Sequence, residues 1–535
     1  MMKRREFLEF MGRTTTAAAT WASLPSSWIA HEVLAAPKPA KSRATGLSSR
    51  LTPLAPSSRD ELTLSAELRW EKLIEWNEPL NRRGDRFGYN NDFIAFIPRS
   101  ENDAVLWINH EYPDPAFLSG GSWEHPEKKT REQIALERRS VGGSLIRIRR
   151  ESKQAPWRFV FDDPLNRRRA PDTPNTVAWP EKIAGTREAI GTFGNCAGGR
   201  TPWGTVLSCE ENFQDMYPWK GKPSHLGWER FFPQPVEHYG WVVEVNPLTG
   251  AAKKLVALGR FCHEGATFAR TKSGLAVVYM GDDGNDQCLY KFISHSKDSL
   301  ERGSLYVANL TGKKWVKLDR ETRPELKMKY ATQTELLIEA REAAHFVSGT
   351  PLDRPEDIEL DPRTGAVIIA LTNNKPAGRP FGSLLRLDEA GGDAGALEFE
   401  SALFIAGGPE SGIACPDNLA FDPQGRGLWV TSDMAGSSMG KEPYLEFENN
   451  SLFFIPLEGP ESGRLIRVGN APVHAELTGP CFSPDGQTLF LSVQHPGEES
   501  PDPKNPLSHW PNGGNSMPRP AVVMVTRAEG VSRFR

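Results

Sequence analysis

From about residue 61 onward the chain alternates short apolar runs with polar, Gly- or Pro-bearing punctuation, a pattern of many short strands. The clearest runs predict strands at 93–97, 105–109, 144–148, 240–245, 276–280, 304–308, 366–371, 428–431, 451–455 and 489–493. Four turns share one form: Asn246-Pro247-Leu248-Thr249-Gly250, Asp361-Pro362-Arg363-Thr364-Gly365, Asp422-Pro423-Gln424-Gly425 and Ser483-Pro484-Asp485-Gly486. In each, Pro sets φ early and Gly supplies a positive φ at the end. Their starts lie 115, 61 and 61 residues apart, so one degenerate repeat is predicted inside the long first interval. Hairpin turns at that period predict an all-β fold, a β-propeller with insertions. A double sandwich is the all-β alternative, but it leaves the period unexplained. Helical signal is confined to 127–140 and 332–344, the latter with Thr332 or Thr334 as N-cap. Residues 498–519, rich in Pro, Asn and Gly, read as a long loop.

The first 36 residues stand apart from this pattern. Lys3-Arg4-Arg5-Glu6-Phe7-Leu8 is a twin-arginine motif, followed by a mildly apolar Thr/Ala stretch and a small-residue site at Val33-Leu34-Ala35-Ala36. Residues 1–36 are therefore expected to be a Tat export signal, too short and too polar in its apolar stretch for a stable membrane span. Residues 37–60, rich in Pro, Ser, Lys and Ala, read as a flexible leader, and 61–535 as a single propeller domain. Export by this route delivers a folded protein to the periplasm or beyond, with the Tat translocation machinery as its partner. A formal net charge of −4 leaves no global basic field, which argues against nucleic acid as a bound partner. The protein is expected to be a monomer.

Export permits disulfides, yet the six cysteines form no CxxC pair and their spacing excludes a zinc ribbon or a thioredoxin motif. One of them is in chemically suggestive company. Gly194-Asn195-Cys196-Ala197-Gly198-Gly199 places a thiol in a Gly-rich turn, and Cys209-Glu210-Glu211-Asn212 follows after a short strand. A thiolate with carboxylates suits a transition metal, and carboxylates alone suit calcium; a Gly-turn hairpin with two solvated Glu residues is the plain alternative. Carboxylates recur at strand ends along the whole chain: Asn91-Asp92, His110-Glu111, Glu210-Glu211, His263-Glu264, Asp282-Asp283, Arg354-Pro355-Glu356, Pro416-Asp417 and Glu476. In a propeller, equivalent strand ends converge on the central channel, so these groups would form one cluster needing several cations. Arg354 beside Glu356 suits bidentate recognition of phosphate. Nucleophile elbow, P-loop and zincin motifs are absent.

Taken together, the run from Gly194 to Asn212, with Phe261-Cys262-His263-Glu264-Gly265, Gly281-Asp282-Asp283, Arg354-Pro355-Glu356, Pro416-Asp417-Asn418-Leu419 and Gln494-His495-Pro496-Gly497-Glu498, resembles the PhoX-type alkaline phosphatases over roughly residues 80–500. The resemblance implies a six-bladed β-propeller and a periplasmic or secreted enzyme hydrolysing small-molecule phosphate monoesters. It implies two ferric ions and three calcium ions around a bridging oxo group, with a metal-bound oxygen attacking phosphorus. By the same resemblance, Cys196 is the iron thiolate ligand, and Glu210, Glu211, Glu264, Asp282, Glu356, Asp417 and Glu476 are carboxylates of the metal cluster. Arg354, Glu264 and Cys196 are the expected catalytic residues, with Arg354 on the substrate phosphate. Two other readings fit the propeller: a calcium-only hydrolase of phosphotriesterase or lactonase type, and a non-catalytic binding module. Neither requires Cys196.

Overall fold

A computed structural model describes Leu47, residues 50–169 and residues 171–528; the export signal read at 1–36 lies outside the described residues. Among the described residues, six sheets of four to six strands are arranged as a six-bladed β-propeller, and a further two-stranded sheet accompanies them. The innermost strands of blades 1 to 6 are Asn91–Ser100, Asn195–Arg200, His263–Arg270, Pro355–Leu360, Pro416–Phe421 and Glu476–Phe482. Each packs against the next around the ring, and the sixth packs against the first. Blade 6 is built from both ends of the chain: Leu68–Glu75 pairs with Ala521–Arg527, which pairs with Leu489–Gln494.

The core is divided as a propeller requires, with one apolar layer between each pair of neighbouring blades. Val105 and Leu145 of blade 1 meet Val206 and Val243 of blade 2. Leu207 and Val242 of blade 2 meet Val278 and Phe292 of blade 3, while Val277 on the opposite face meets Ile369 and Leu387 of blade 4. Alternate residues of a middle strand thus serve two different layers, so both must be apolar and the strand reads as an unbroken hydrophobic run. Every strand predicted from such a run is present.

The turn period is real for three blades. The Asp361, Asp422 and Ser483 turns each join the first and second strands of blades 4, 5 and 6. The Asn246 turn instead joins the third and fourth strands of blade 2, and blade 3 occupies the long interval after it. Of the predicted helices, 127–140 resolves into a short 3-10 turn and the helix Arg131–Ser140, capped by Thr130. The 332–344 segment becomes two helices, Gln333–Ile338 and Ala340–Phe346, with Thr332 accepting a hydrogen bond from the Glu335 amide as N-cap.

Two glycines mark where blades approach too closely for a side chain. A Cβ at Gly199 would lie 1.9 Å from the Ala266 carbonyl oxygen of blade 3, and one at Gly281 would lie 2.3 Å from the Pro355 carbonyl oxygen of blade 4. The first contact joins two inner strands, and the second brings the second strand of blade 3 against the inner strand of blade 4.

The expectation of a flexible leader at 37–60 is corrected over its described part. Leu47 and Leu51 are buried in the layer between blades 5 and 6. The Leu54 amide donates to the Arg467 carbonyl, and Asp60 accepts hydrogen bonds from Ser508 Oγ and the His509 amide. Thr63–Leu64 then pairs with Ile466–Asn470 as the outermost strand of blade 5. A composition rich in Pro and Ser does not reveal such a strap, because its anchors are two leucines and backbone groups. Deleting residues 37–60 is expected to lower stability by about 3 kcal/mol or more, from two buried leucines alone, read as a fall in Tm by differential scanning calorimetry. An unchanged Tm would show that the strap contributes nothing.

Candidate metal centre

The side chains of the channel come from two positions repeated around the ring. The first is the second residue of the inner strand: Asp92, Cys196, Glu264, Glu356 and Asp417 in blades 1 to 5. In each of these strands the pairing register shifts at or directly after that residue. Such bulges re-aim a side chain out of the ordinary pleat. Blade 6 places its shift later, after Thr478, and contributes Glu476, the first residue of its inner strand. The second position is the residue just past the second strand: Glu111, Glu211, Asp283 and Asp433 in blades 1, 2, 3 and 5, and His495 in blade 6.

Inter-blade hydrogen bonds fix the backbone that carries these groups. Asn109 of blade 1 donates its Nδ2 to the Cys196 and Ala197 carbonyls at 2.6 and 3.0 Å. Ser492 of blade 6 donates to the Asp92 carbonyl at 2.7 Å, and Thr372 of blade 4 donates to the Pro416 carbonyl at 2.9 Å.

Three overlapping groups of ligand atoms result, each within 4.8 Å: Asp92, Glu111 and Cys196; Cys196, Glu211 and Glu264; Glu264, Glu356 and Asp417. The Cys196 thiol donates to Asp92 Oδ2 at 3.2 Å and to Glu264 Oε1 at 3.3 Å. Gln494 Nε2 donates to Glu111 Oε2 at 2.8 Å and to Asp92 Oδ2 at 3.3 Å. Glu476 lies beside Asp417 and is 3.2 Å from His495 Nε2.

All of these carboxylates are buried. Burial first, and then mutual repulsion, pushes Glu211, Glu264, Glu356, Asp417 and Glu476 well above the usual carboxylate range. Asp92 is pushed to about 6 and Glu111 to about 8. The Cys196 thiol is driven up by burial and the surrounding acids. Asp92 Oδ1 and Glu264 Oε2 are buried without a hydrogen-bond donor. So many acids at close quarters need a positive counterpart, and oxygen atoms left without donors are placed to ligate cations. The donor set fits hard cations among the carboxylates and a softer transition metal at the thiolate.

Two expected ligands are not in this cluster. Glu210 is paired with Lys254 at 2.6 Å and accepts from the Gly240 and Trp241 amides. Asp282 is clamped by Arg341 and accepts from the Cys262 amide. Both are the last residues of second strands, and side chains alternate along a strand, so in each acidic doublet only the following residue, Glu211 or Asp283, faces the channel. Asp92, Glu111, Asp283 and Asp433 were absent from the ligand set that the resemblance implied. The alternation rule, applied to the doublets and to His110-Glu111, would have selected Glu111 and Asp283. Asp433 carries no motif of its own and becomes visible only as the equivalent of Glu111 and Glu211 in another blade.

Arg354 sits at the rim of the cluster with a positive φ of 54°. Its Nε and Nη2 donate to the Asp283 carboxylate at 2.7 and 2.9 Å. Nη2 is also 2.8 Å from Glu356 Oε1, and Nη1 is 3.6 Å from Asp433 Oδ2. Burial opposes the charged form of Asp283, but Arg354 outweighs it and holds the carboxyl below its ordinary range.

A closed propeller with a channel that gathers a thiol, a ring of buried acids and an arginine defines a cation-binding β-propeller of hydrolase type. The chain belongs to the PhoX alkaline phosphatase family, whose profile, described as "Alkaline phosphatase PhoX", matches residues 49–497. It is similar to Pseudomonas fluorescens PhoX, solved in complex with vanadate, a transition-state analogue. The two are 30% identical, with 89% of this chain and 98% of that chain covered and a TM-score of 0.78. Distant likenesses include a Dyadobacter fermentans protein of unknown function (9% identity, 86% of this chain and 100% of that chain, TM-score 0.38). Another is the Cps50 (Swd1) β-propeller domain of Myceliophteria thermophila (12% identity, 78% and 83%, TM-score 0.30). No curated protein matches the chain.

Stripping metal should make stability depend on pH. In the stripped protein Asp92 and Glu111 hold protons up to about 6 and about 8, whereas the unfolded chain loses them near pH 4. Folded-state pKa values above the unfolded ones mean stability present at about pH 4 and lost as pH rises through about 8. Bound cations replace the protons, so the gap in Tm between metal-loaded and chelator-treated protein should widen from pH 5 to pH 8. A gap that is constant with pH would contradict this account of the cluster.

Proposed function

We propose that this protein is an exported, metal-dependent alkaline phosphatase that hydrolyses small phosphate monoesters at the mouth of its propeller channel. The observation that carries the reading is the convergence of three ligand groups sharing Cys196 and Glu264, with Arg354 at their rim. Cys196, with Asp92, Glu111, Glu211 and Glu264, would hold the iron. Glu264, Glu356, Asp417 and Glu476 would hold calcium, in a complement of two ferric and three calcium ions. When bound, these ions supply Lewis acidity that neutralises phosphate oxygens and activates an oxygen nucleophile.

The residues of the chain provide the rest. Asp283 engages Nε and Nη2 of Arg354 and Glu356 also meets Nη2, so Nη1, 3.6 Å from Asp433, is the nitrogen left to meet a non-bridging phosphate oxygen. There it orients the ester and offsets charge as the phosphoryl group transfers. Gln494 holds Asp92 and Glu111 in fixed orientations, and His495 does the same for Glu476. The Asn109 bonds to the Cys196 carbonyl hold the thiol-bearing turn. A site held from several blades is organised before substrate arrives, which is where electrostatic catalysis gains most.

Residues 1–36 would act as the Tat signal, cleaved to leave a monomeric, single-domain propeller in the periplasm or outside the cell. Among the described residues no helix is long and apolar enough to cross a membrane.

Metal analysis beside p-nitrophenyl phosphate hydrolysis tests the reading. The exported protein should contain iron and calcium and hydrolyse the ester. Cys196→Ser should lose more iron affinity than the about 10–100-fold that loss of an outer-shell partner costs, with activity falling in step. Calcium without iron, or full metal loading without hydrolysis, would overturn the assignment. Arg354→Ala is expected to lower kcat/KM by about 10²–10³-fold with metal content retained; retained kcat/KM in that variant would remove Arg354 from the phosphate site.

A further inference from the structure

We propose that Arg341 is a positioning residue for Arg354, acting from the helical insertion of blade 3 through the Asp282-Asp283 pair; the proposal rests on the reading of Arg354 as the phosphate anchor. Arg341 lies on the helix Ala340–Phe346, whose Ala340, Ala343 and Ala344 are buried in the layer between blades 2 and 3. Its Nε donates to both Asp282 oxygens at 2.9 Å. Its Nη2 donates to Asp282 Oδ1 and, at 3.2 Å, to the Asp283 carbonyl.

The Asp282-Asp283 backbone is held from its other side by Cys262. The Cys262 amide donates to Asp282 Oδ1 at 3.2 Å, and the Asp283 amide donates to the Cys262 carbonyl at 2.9 Å. Just beyond, Asn285–Gln287 pairs with Leu352–Asp353, the two residues that precede Arg354. The peptide carrying Asp283 and the peptide carrying Arg354 are therefore one braced unit, and Arg341 is its brace from the insertion.

Arg354 needs such bracing. It adopts a backbone conformation that side-chain-bearing residues rarely take, and three carboxylates, Asp283, Glu356 and Asp433, compete for its guanidinium. The bidentate bond to Asp283 decides which edge faces the channel. Without Arg341, the fully buried Asp282 carboxylate loses its charged partner and must protonate or turn. Either change moves the Asp283 peptide and with it the edge that Arg354 presents. The helical insertion thereby acquires a specific role: it sets the phosphate grip without touching substrate.

Inorganic phosphate is the probe, competing with p-nitrophenyl phosphate on the metal-loaded full-length protein. Arg341→Met should raise the phosphate inhibition constant by about tenfold or more, since small displacements of a positioning contact are costly, while iron and calcium content stay unchanged. Arg341→Lys should recover part of the loss. The double variant Arg341→Met/Asp282→Asn strands no buried carboxylate, so it decides the matter if the single variant fails to fold, and it should show the same loss. In an Arg354→Ala background, Arg341→Met should cause no further change, which a merely structural residue would not satisfy. Phosphate affinity retained without Arg341, metal lost in parallel with affinity, or losses that add to those of Arg354→Ala would each overturn the proposal. An unchanged inhibition constant in Arg354→Ala alone would instead overturn the phosphate-anchor reading beneath it.

Discussion

The constraint on which this structure depends is the repulsion among acids that the propeller itself forces together. No single blade carries more than a few of them, and on an isolated blade they would be solvated and harmless. Closing the ring buries them around one axis, where the burial of charge and its proximity to like charge reinforce each other. The fold is thus built around a deficit of positive charge that the protein alone does not fill. Arg354 supplies one cation at the rim, and Asp283, Glu356 and Asp433 already draw on it. Cations from solution can supply what the channel lacks, and its donor set fits hard cations among the oxygens and a softer ion at the single sulfur.

The rest of the architecture serves to hold that unfavourable arrangement still. Apolar layers between blades provide the stability against which the acids act. In blades 1 to 5, bulges at the start of the inner strands turn one side chain inward. Glycines at 199 and 281 let strands of neighbouring blades touch, and side-chain-to-carbonyl bonds such as Asn109 to Cys196 tie ligand-bearing strands to the next blade. The same division of labour explains the ion pairs that flank the cluster. Glu210 with Lys254 and Asp282 with Arg341 are neutralised within the protein, so they brace the site without competing for its cations.

Legibility in the sequence followed the physics of each strand. Middle strands such as Val367–Leu371 serve two apolar layers, so they appear as continuous hydrophobic runs and were found. Inner strands such as Asn195–Arg200 and His263–Arg270 begin with polar or acidic residues, contain glycine and break register, and most were not found as strands. Their chemistry is legible where their periodicity is not: sequence motifs single out Cys196, Glu211, Glu264, Glu356, Asp417 and Glu476, and the propeller brings these side chains to one channel. Errors arose where two neighbouring acids offered themselves, because a doublet does not say which member faces inward; the pleat does. The strap formed by Leu47 and residues 50–60 is not legible, because its composition resembles a linker while Leu47 and Leu51 act as anchors.

Blade 6 carries a last consequence. Its strands come from residues 68–75 and 476–527, so the pairing of Glu71 with Met524 joins the two ends of the propeller. Contacts between residues so distant in sequence form late and slowly. Without that pairing the ring is open, and Glu476 and His495 are not held against Asp92 and Asp417. The complete donor set of the channel is therefore a property of the closed ring alone, so the same contact that shuts the propeller also finishes its cation site.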